Sequence, residues 1–277
     1  MSRKPAARTF ALLGDPVGHS LSPVFQNAAL RAAGIDARYI AIQVAAADVP
    51  AAVARIRSGE LAGANVTIPH KLAVVPLMDV LTPIAKRLGA VNWIGLDPGG
   101  LLIGDNTDAE GFARALQGAG VPVAGSDVVV IGAGGAARAA AFALAMEGAA
   151  RVAIGARREA EARAIVADLQ HGAIEACGLY DARMRAEKAA IVVSAVPPAA
   201  WTAVAPARMR RDAWLCDLGY DREGTPAEAW ARRDGVSCLD GLPMLLHQGA
   251  LSFERWLEVP FPMDAARAAL AGRTGSV

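Results

Sequence analysis

One stretch of this chain leaves little choice of fold. Val128-Val129-Val130-Ile131 runs straight into Gly132-Ala133-Gly134-Gly135, and Ala136-Ala137-Arg138 opens an Ala-rich segment. A short apolar run with no polar alternation reads as a strand buried on both faces. The Ala-rich segment reads as a helix. Gly132 permits the tight turn between them, and Gly134 lets a pyrophosphate approach the backbone. Ala137 takes the third small position, where helix meets strand. N–H groups at the helix start then face the phosphates.

A second strand, Arg151–Gly155, follows at about the 20-residue interval the dinucleotide fold requires. Its end selects the dinucleotide. An NAD site places Asp or Glu there to bond the ribose 2′-hydroxyl. Here the chain reads Ile154-Gly155-Ala156-Arg157-Arg158. Two guanidiniums replace the carboxylate, and a fork of donors suits a 2′-phosphate. The expected cofactor is therefore NADP. The alternative is that Arg157 and Arg158 are solvated charges, although cations at a helix start oppose its dipole.

The same alternation extends both ways. Phe10–Leu13, Tyr39–Val44 and Leu61–Ile68 read as strands, with helices over Pro23–Ala33 and Asp48–Ser58. Val91–Leu96 and Leu101–Gly104 flank Asp97-Pro98-Gly99-Gly100 and read as a hairpin. A second series holds Asp127–Ile131, Arg151–Gly155, Ala189–Ala195 and Ala213–Leu218. Two such series predict two α/β domains joined near Asn106–Gly120, each built on a mostly parallel sheet. At 277 residues, 54% hydrophobic and 20% charged, the chain has material for both cores. A net charge of +1 gives no basic stripe for nucleic acid. No apolar run reaches the roughly 20 residues of a membrane span. The start lacks the apolar stretch of a secretory signal. Cys177, Cys216 and Cys238 are isolated, as free thiols of a reducing compartment would be, so a cytoplasmic protein is expected. No His, Cys or acid cluster has metal-ligand spacing.

Four polar clusters fall where strands of the first half end. Ser20 and Ser22 precede a helix, where they either cap it or, with its N–H groups, hold a carboxylate. Asn65 and Thr67 share a strand face. Lys71 follows at the strand-to-helix junction, Asn92 ends Gly89-Ala90-Val91-Asn92, and Asp108 ends Gly104-Asp105-Asn106-Thr107-Asp108. A Lys beside an Asp can relay the proton of a reacting hydroxyl while a nicotinamide takes the hydride. A surface salt bridge is the plainer reading of two such residues taken alone.

Taken together these strings resemble the shikimate dehydrogenase family over nearly the whole chain. The resemblance covers Gly14 to Pro23, Asn65-Val66-Thr67-Ile68-Pro69-His70-Lys71, Gly89 to Asn92, Gly104 to Asp108, Gly132 to Gly135 and Gly241 to Ala250. Six motifs in order are far more specific than any one. The resemblance implies a substrate domain over residues 1–107, completed by 241–277, an NADP-binding Rossmann-like domain over 108–240, and a cleft between them. It implies Lys71 and Asp108 as the catalytic pair and Ser20 and Ser22 as the carboxylate site. Asn65, Thr67, Asn92, Asp108 and Gln248 would bond ring hydroxyls, with Tyr220 reaching the substrate from the cofactor domain. The cofactor would meet Gly132, Ala133, Gly134, Gly135 and Ala136, then Ala156, Arg157 and Arg158, then Val196, Leu218 and Gly241. The implied reaction is reduction of 3-dehydroshikimate to shikimate with NADPH, by a monomer or homodimer acting on a small molecule. The chain departs from the family pattern at Ala156, where Asn is usual, and at Ser194-Ala195-Val196. The rival readings are a quinate/shikimate dehydrogenase preferring NAD, against which Arg157 speaks, and a catalytically silent NADP-binding paralogue.

Overall fold

Short apolar runs become strands and the stretches between them become helices, over residues 8–221 and 223–274, which the computed structural model describes. The chain divides into two compact units. One takes the chain up to Thr107 and again from Gly249; the other is Asp108–Gln248.

The first unit begins β1 (Arg8–Gly14), α1 (Ser22–Ala32), β2 (Ala37–Gln43), α2 (Val49–Arg57) and β3 (Gly63–Val66). It continues with β4 (Val80–Leu81), α3 (Pro83–Leu88), β5 (Trp93–Leu96) and β6 (Leu102–Asp105). Helix starts follow local rules. Proline stands in the first turn of α1, α2 and α3, where its missing N–H costs nothing. Thr82 caps α3 by accepting from the Ala85 N–H, and Gly89 ends it in the left-handed conformation at φ +57°. The sheet runs β2-β1-β3-β5-β6-β4. β1 is parallel to β2 and β3, and β5 is antiparallel to β3 and β6. The expected hairpin closes with Leu96 opposite Leu102, and Gly100 turns it at φ +84°. Ala11, Leu13, Ile56, Leu61, Ala64, Val91 and Ile94 fill the core of one face.

The second unit holds α4 (Asp108–Gly118), β7 (Asp127–Ile131), α5 (Gly135–Met146), β8 (Arg151–Ala156) and α6 (Glu159–Leu169). Then come β9 (Ile174–Gly178), α7 (Leu179–Ala186), β10 (Ile191–Ser194), α8 (Trp201–Val204), β11 (Trp214–Asp217), α9 (Pro226–Asp234) and β12 (Ser237–Leu239). Its sheet order is β9-β8-β7-β10-β11-β12 and every pairing is parallel. That is the doubly wound dinucleotide topology, with its switch point between β7 and β10. Trp201 is fully buried in the core on one side, edge-on to Trp230 at 6.0 Å.

The chain then returns through α10 (Leu242–Leu257) and α11 (Met263–Thr274). The return motif begins at Gly241, but the unit boundary falls inside α10, between Gln248 and Gly249. Packing explains this. A side chain on Gly111 of α4 would come within 2.7 Å of the Gln248 backbone nitrogen, so the first half of α10 lies against α4. Gly249 faces the Phe25 ring, and its carbonyl accepts from Gln26 Nε2 at 2.8 Å. Trp256 stacks on Phe10 at 4.8 Å and on Trp93 at 5.9 Å, and α11 lies on α1. The three thiols are free, Cys177 and Cys216 buried and Cys238 exposed. No helix among the described residues is long and apolar enough to cross a membrane.

Candidate active site

The polar residues singled out in the first half gather where its strands end. The backbone N–H of Ser22 donates to Ser20 Oγ at 3.2 Å, so Ser20 serves the helix start, and Ser22 is buried in the first turn of α1. Thr67 is half-buried just past β3, and its methyl group occupies the space a side chain on Gly14 would need, 2.4 Å away. Lys71 is buried at 9% exposure. Its carbonyl accepts from the Val91 N–H at 2.8 Å. Beside it, His70 Nε2 lies 2.6 Å from the Val44 carbonyl, which places this ring in a supporting role.

Asn65 and Asn92 are more committed than their motif suggests. Asn65 Nδ2 donates to the Asn92 carbonyl at 3.0 Å and to Ser252 Oγ at 2.8 Å, while its Oδ1 accepts from the Tyr39 hydroxyl at 2.9 Å. Both amide hydrogens are thus used, and only the second lone pair of Oδ1 is left for a ligand. Asn92 Oδ1 accepts from the Thr107 N–H at 2.7 Å, and its Nδ2 donates to Thr107 Oγ1 at 2.9 Å. Thr107 is fully buried, and Asp108, at 4% exposure, follows it directly as the first residue of α4.

In the second unit the glycine loop has the shape its sequence requires. Gly132 sits at φ +129°, with its N–H donating to the Gly155 carbonyl at 2.9 Å. Gly134 precedes α5, and a side chain there would meet no atom within 4 Å. The N–H groups of the first helical turn have no acceptor within their helix. With Ala133, Gly135 and Ala136 they form an open cradle into which a phosphate group fits. At the end of β8, Ala156 is buried and Arg157 is exposed, with no ion pair among the described residues. Arg158 pairs with Glu161 in the first turn of α6. The two guanidiniums are therefore not equivalent: Arg158 is engaged within its own helix turn and Arg157 is exposed. Val196 and Leu218 lie half-buried after β10 and β11, and the Gly241 N–H donates to the Gly219 carbonyl at 3.1 Å. Tyr220 and Gln248 are half-buried, and Gln248 Nε2 donates to the Leu245 carbonyl of its own helix.

Three family models match the chain in succession. The shikimate dehydrogenase substrate binding domain covers residues 12–94, shikimate / quinate 5-dehydrogenase covers 114–212, and the shikimate 5′-dehydrogenase C-terminal domain covers 241–271. The chain belongs to the shikimate dehydrogenase family. A family member from Moorella thermoacetica, a shikimate dehydrogenase (NADP(+)), is 41% identical over 91% of this chain and 89% of its own length. The crystal structure of shikimate dehydrogenase from Aquifex aeolicus superposes with a TM-score of 0.84 at 30% identity, covering 97% of this chain and 99% of that one. Shikimate 5-dehydrogenase from Thermus thermophilus, in complex with NADP(H) and shikimate, gives 0.80 at 32%, covering 96% and 99%.

The motifs do not disclose Tyr39, Ser252 and Arg255, which bond residues within them. Tyr39 is a buried residue of the otherwise half-exposed strand β2, which is a faint local signal. Ser252 is fully buried and meets Asn65 from 187 residues away.

Asp217 is a further buried carboxyl, at the end of β11. It accepts from Thr225 Oγ1 at 2.5 Å and from the Gly219 N–H at 3.1 Å. Burial pushes it above the usual carboxylate range, and these donors only partly oppose the shift. A carboxyl raised in the fold binds its proton more tightly folded than unfolded. Its stabilising share is whole below the unfolded value, about 4, and is lost as pH rises through the folded one. Thermal melts should therefore show the wild type losing stability relative to Asp217→Asn as pH rises from about 4. A difference that grows in the opposite sense would refute the assignment.

Proposed function

We propose that this protein is an NADP-dependent oxidoreductase that reversibly reduces 3-dehydroshikimate to shikimate, a cytoplasmic step of aromatic amino-acid biosynthesis. The observation that carries this reading is a pairing within one chain. A buried lysine lies beyond β3, and the strand after the dinucleotide loop is followed by Arg157 rather than by a carboxylate. The NADP(+) name of the Moorella relative and the NADP(H) and shikimate in the Thermus complex support it.

NADPH, when bound, supplies the hydride. The backbone of Gly132, Ala133, Gly134, Gly135 and Ala136 cradles its pyrophosphate. Arg157 holds the 2′-phosphate beside Ala156 and Arg158, while Val196, Leu218 and Gly241 line the nicotinamide end. Ser20 and Ser22 bind the substrate carboxylate at the start of α1, where helix N–H groups favour an anion. Thr67, Asn92, Gln248 and Tyr220 bond the ring oxygens, and Asn65 takes part as an acceptor only. Lys71 places a positive charge at the oxygen that gains electron density and delivers its proton there, and Asp108 orients the ammonium group.

The test follows absorbance of the reduced nicotinamide with shikimate or quinate, each against NADP and NAD. Turnover should be strong only with shikimate and NADP. Arg157→Ala should raise KM for NADP by at least about tenfold and leave any NAD-dependent rate unchanged. Equal or better rates with quinate and NAD would reassign the chain to an NAD-preferring quinate/shikimate dehydrogenase. No rate with any pair would mark it as a catalytically silent cofactor binder.

A further inference from the structure

Three successive residues before Asp108 are each fixed through their side chains. Asp105, the last residue of β6, is 4% exposed. Its Oδ1 accepts from Thr82 Oγ1 at 2.5 Å and from the Asn106 N–H at 2.7 Å. Its Oδ2 lies 3.0 Å from Arg255 Nη1. Asn106 Nδ2 donates to the Ala90 carbonyl at 3.0 Å. Thr107 is gripped by Asn92, as described, and its Oγ1 lies 3.3 Å from Ser252 Oγ. Ser252 and Arg255 stand three residues apart on α10 and so share one face of it. That face meets the strand end at two points: Arg255 at Asp105 and Ser252 at Thr107.

A buried carboxylate is costly unless a cation and hydrogen bonds compensate it, and removing one partner leaves the other charge stranded. Asp105 also holds Thr82, which caps α3, and α3 leads through Gly89 into Ala90-Val91-Asn92. One ion pair therefore sets the end of β6 and the loop bearing Asn92 together.

We infer that Arg255, through its ion pair with Asp105, is a positioning residue that fixes the Asn106–Asp108 segment, and hence the Asp108 carboxylate, for the reaction; this rests on the function proposed above. In this inference Arg255 acts through Asp105. Its loss therefore acts on the geometry of catalysis, not on ligand contacts.

The test compares wild type, Arg255→Leu and Arg255→Lys in shikimate oxidation with NADP, each scored for kcat, both KM values and melting temperature. Arg255→Leu should lower kcat by about tenfold, with KM for NADP within about twofold, and Arg255→Lys should recover most of that loss. If Arg255→Leu does not fold, Arg255→Gln, which keeps a donor on a shorter stem, gives the same comparison. An unchanged kcat overturns the inference, as does a lower melting temperature with full kcat per folded molecule, or no recovery with lysine. An inactive wild type overturns instead the proposed function on which the inference rests.

Discussion

Lys71→Ala is expected to lower kcat for shikimate oxidation by about 10²–10⁴-fold, the usual worth of a positioned acid–base group. NADPH affinity should stay within about twofold. The contrast is sharp because the backbone at this point has bonds of its own. The Lys71 carbonyl is held by the Val91 N–H, and the preceding His70 ring is anchored at the Val44 carbonyl. Cutting the side chain back to a methyl group removes the charge and the proton and leaves the loop tied at both places. Stopped-flow reduction of NADP and a separate NADPH titration measure the two quantities. A parallel fall in both would mean that Lys71 supports the cofactor unit and is not the acid–base group.

The second large effect is expected at Gly132. A side chain there would come 2.5 Å from the Ala195 carbonyl oxygen and 2.9 Å from its carbon, both backbone atoms, at a φ of +129° that L-residues avoid. Gly132→Ala must either move β10's exit or abandon the turn, at a conformational cost on the order of 1–3 kcal/mol before any clash. Melting temperature should fall, and NADPH affinity should drop by more than about tenfold as the N–H groups of α5 lose their aim. Gly134→Ala supplies the control. Its φ is −88° and its surroundings are open, so stability should hold while affinity falls, because the added methyl stands where a pyrophosphate would approach. Equal melting and equal binding in Gly132→Ala would show that the turn is not what presents the phosphate groups.

Those glycines were legible because the strand, turn and helix they join are contiguous. The periodicity of Asp127–Ile131 needs no partner to be read, and that segment is strand β7 as expected. The hairpin at Asp97–Gly100 was legible for the same reason. Three strands escaped. β4 has two residues, β12 has three, and β9 mixes Glu175 into a short run, so none carries a period long enough to register. Of the proposed site residues, sequence order brings out Lys71, Asn92 and Asp108, but it does not bring out Ser252 and Arg255, which bond Thr107 and Asp105 beside them. Arg255 meets Asp105 within the first unit although the whole sequence of the second lies between them, and Ser252 meets Asn65 and Thr107 likewise. Such contacts arise when helix α10 packs, and no local pattern encodes them. Asn65 shows the converse. Its motif marks it as important, but only the geometry shows that its amide hydrogens already belong to Asn92 and Ser252.

The unit boundary inside α10 has a consequence for biosynthesis. The Asp108–Gln248 unit is one uninterrupted length of chain, whereas the other is sewn from two lengths with that unit between them. On the ribosome the continuous unit can finish its sheet as soon as its last strand emerges. The earlier-made one must wait, its Phe10 and Trp93 rings lacking Trp256, until the final helices arrive. The order of completion is thus the reverse of the order of synthesis, and the interval is one in which a face of the first sheet, lacking its last helices, is open to wrong partners.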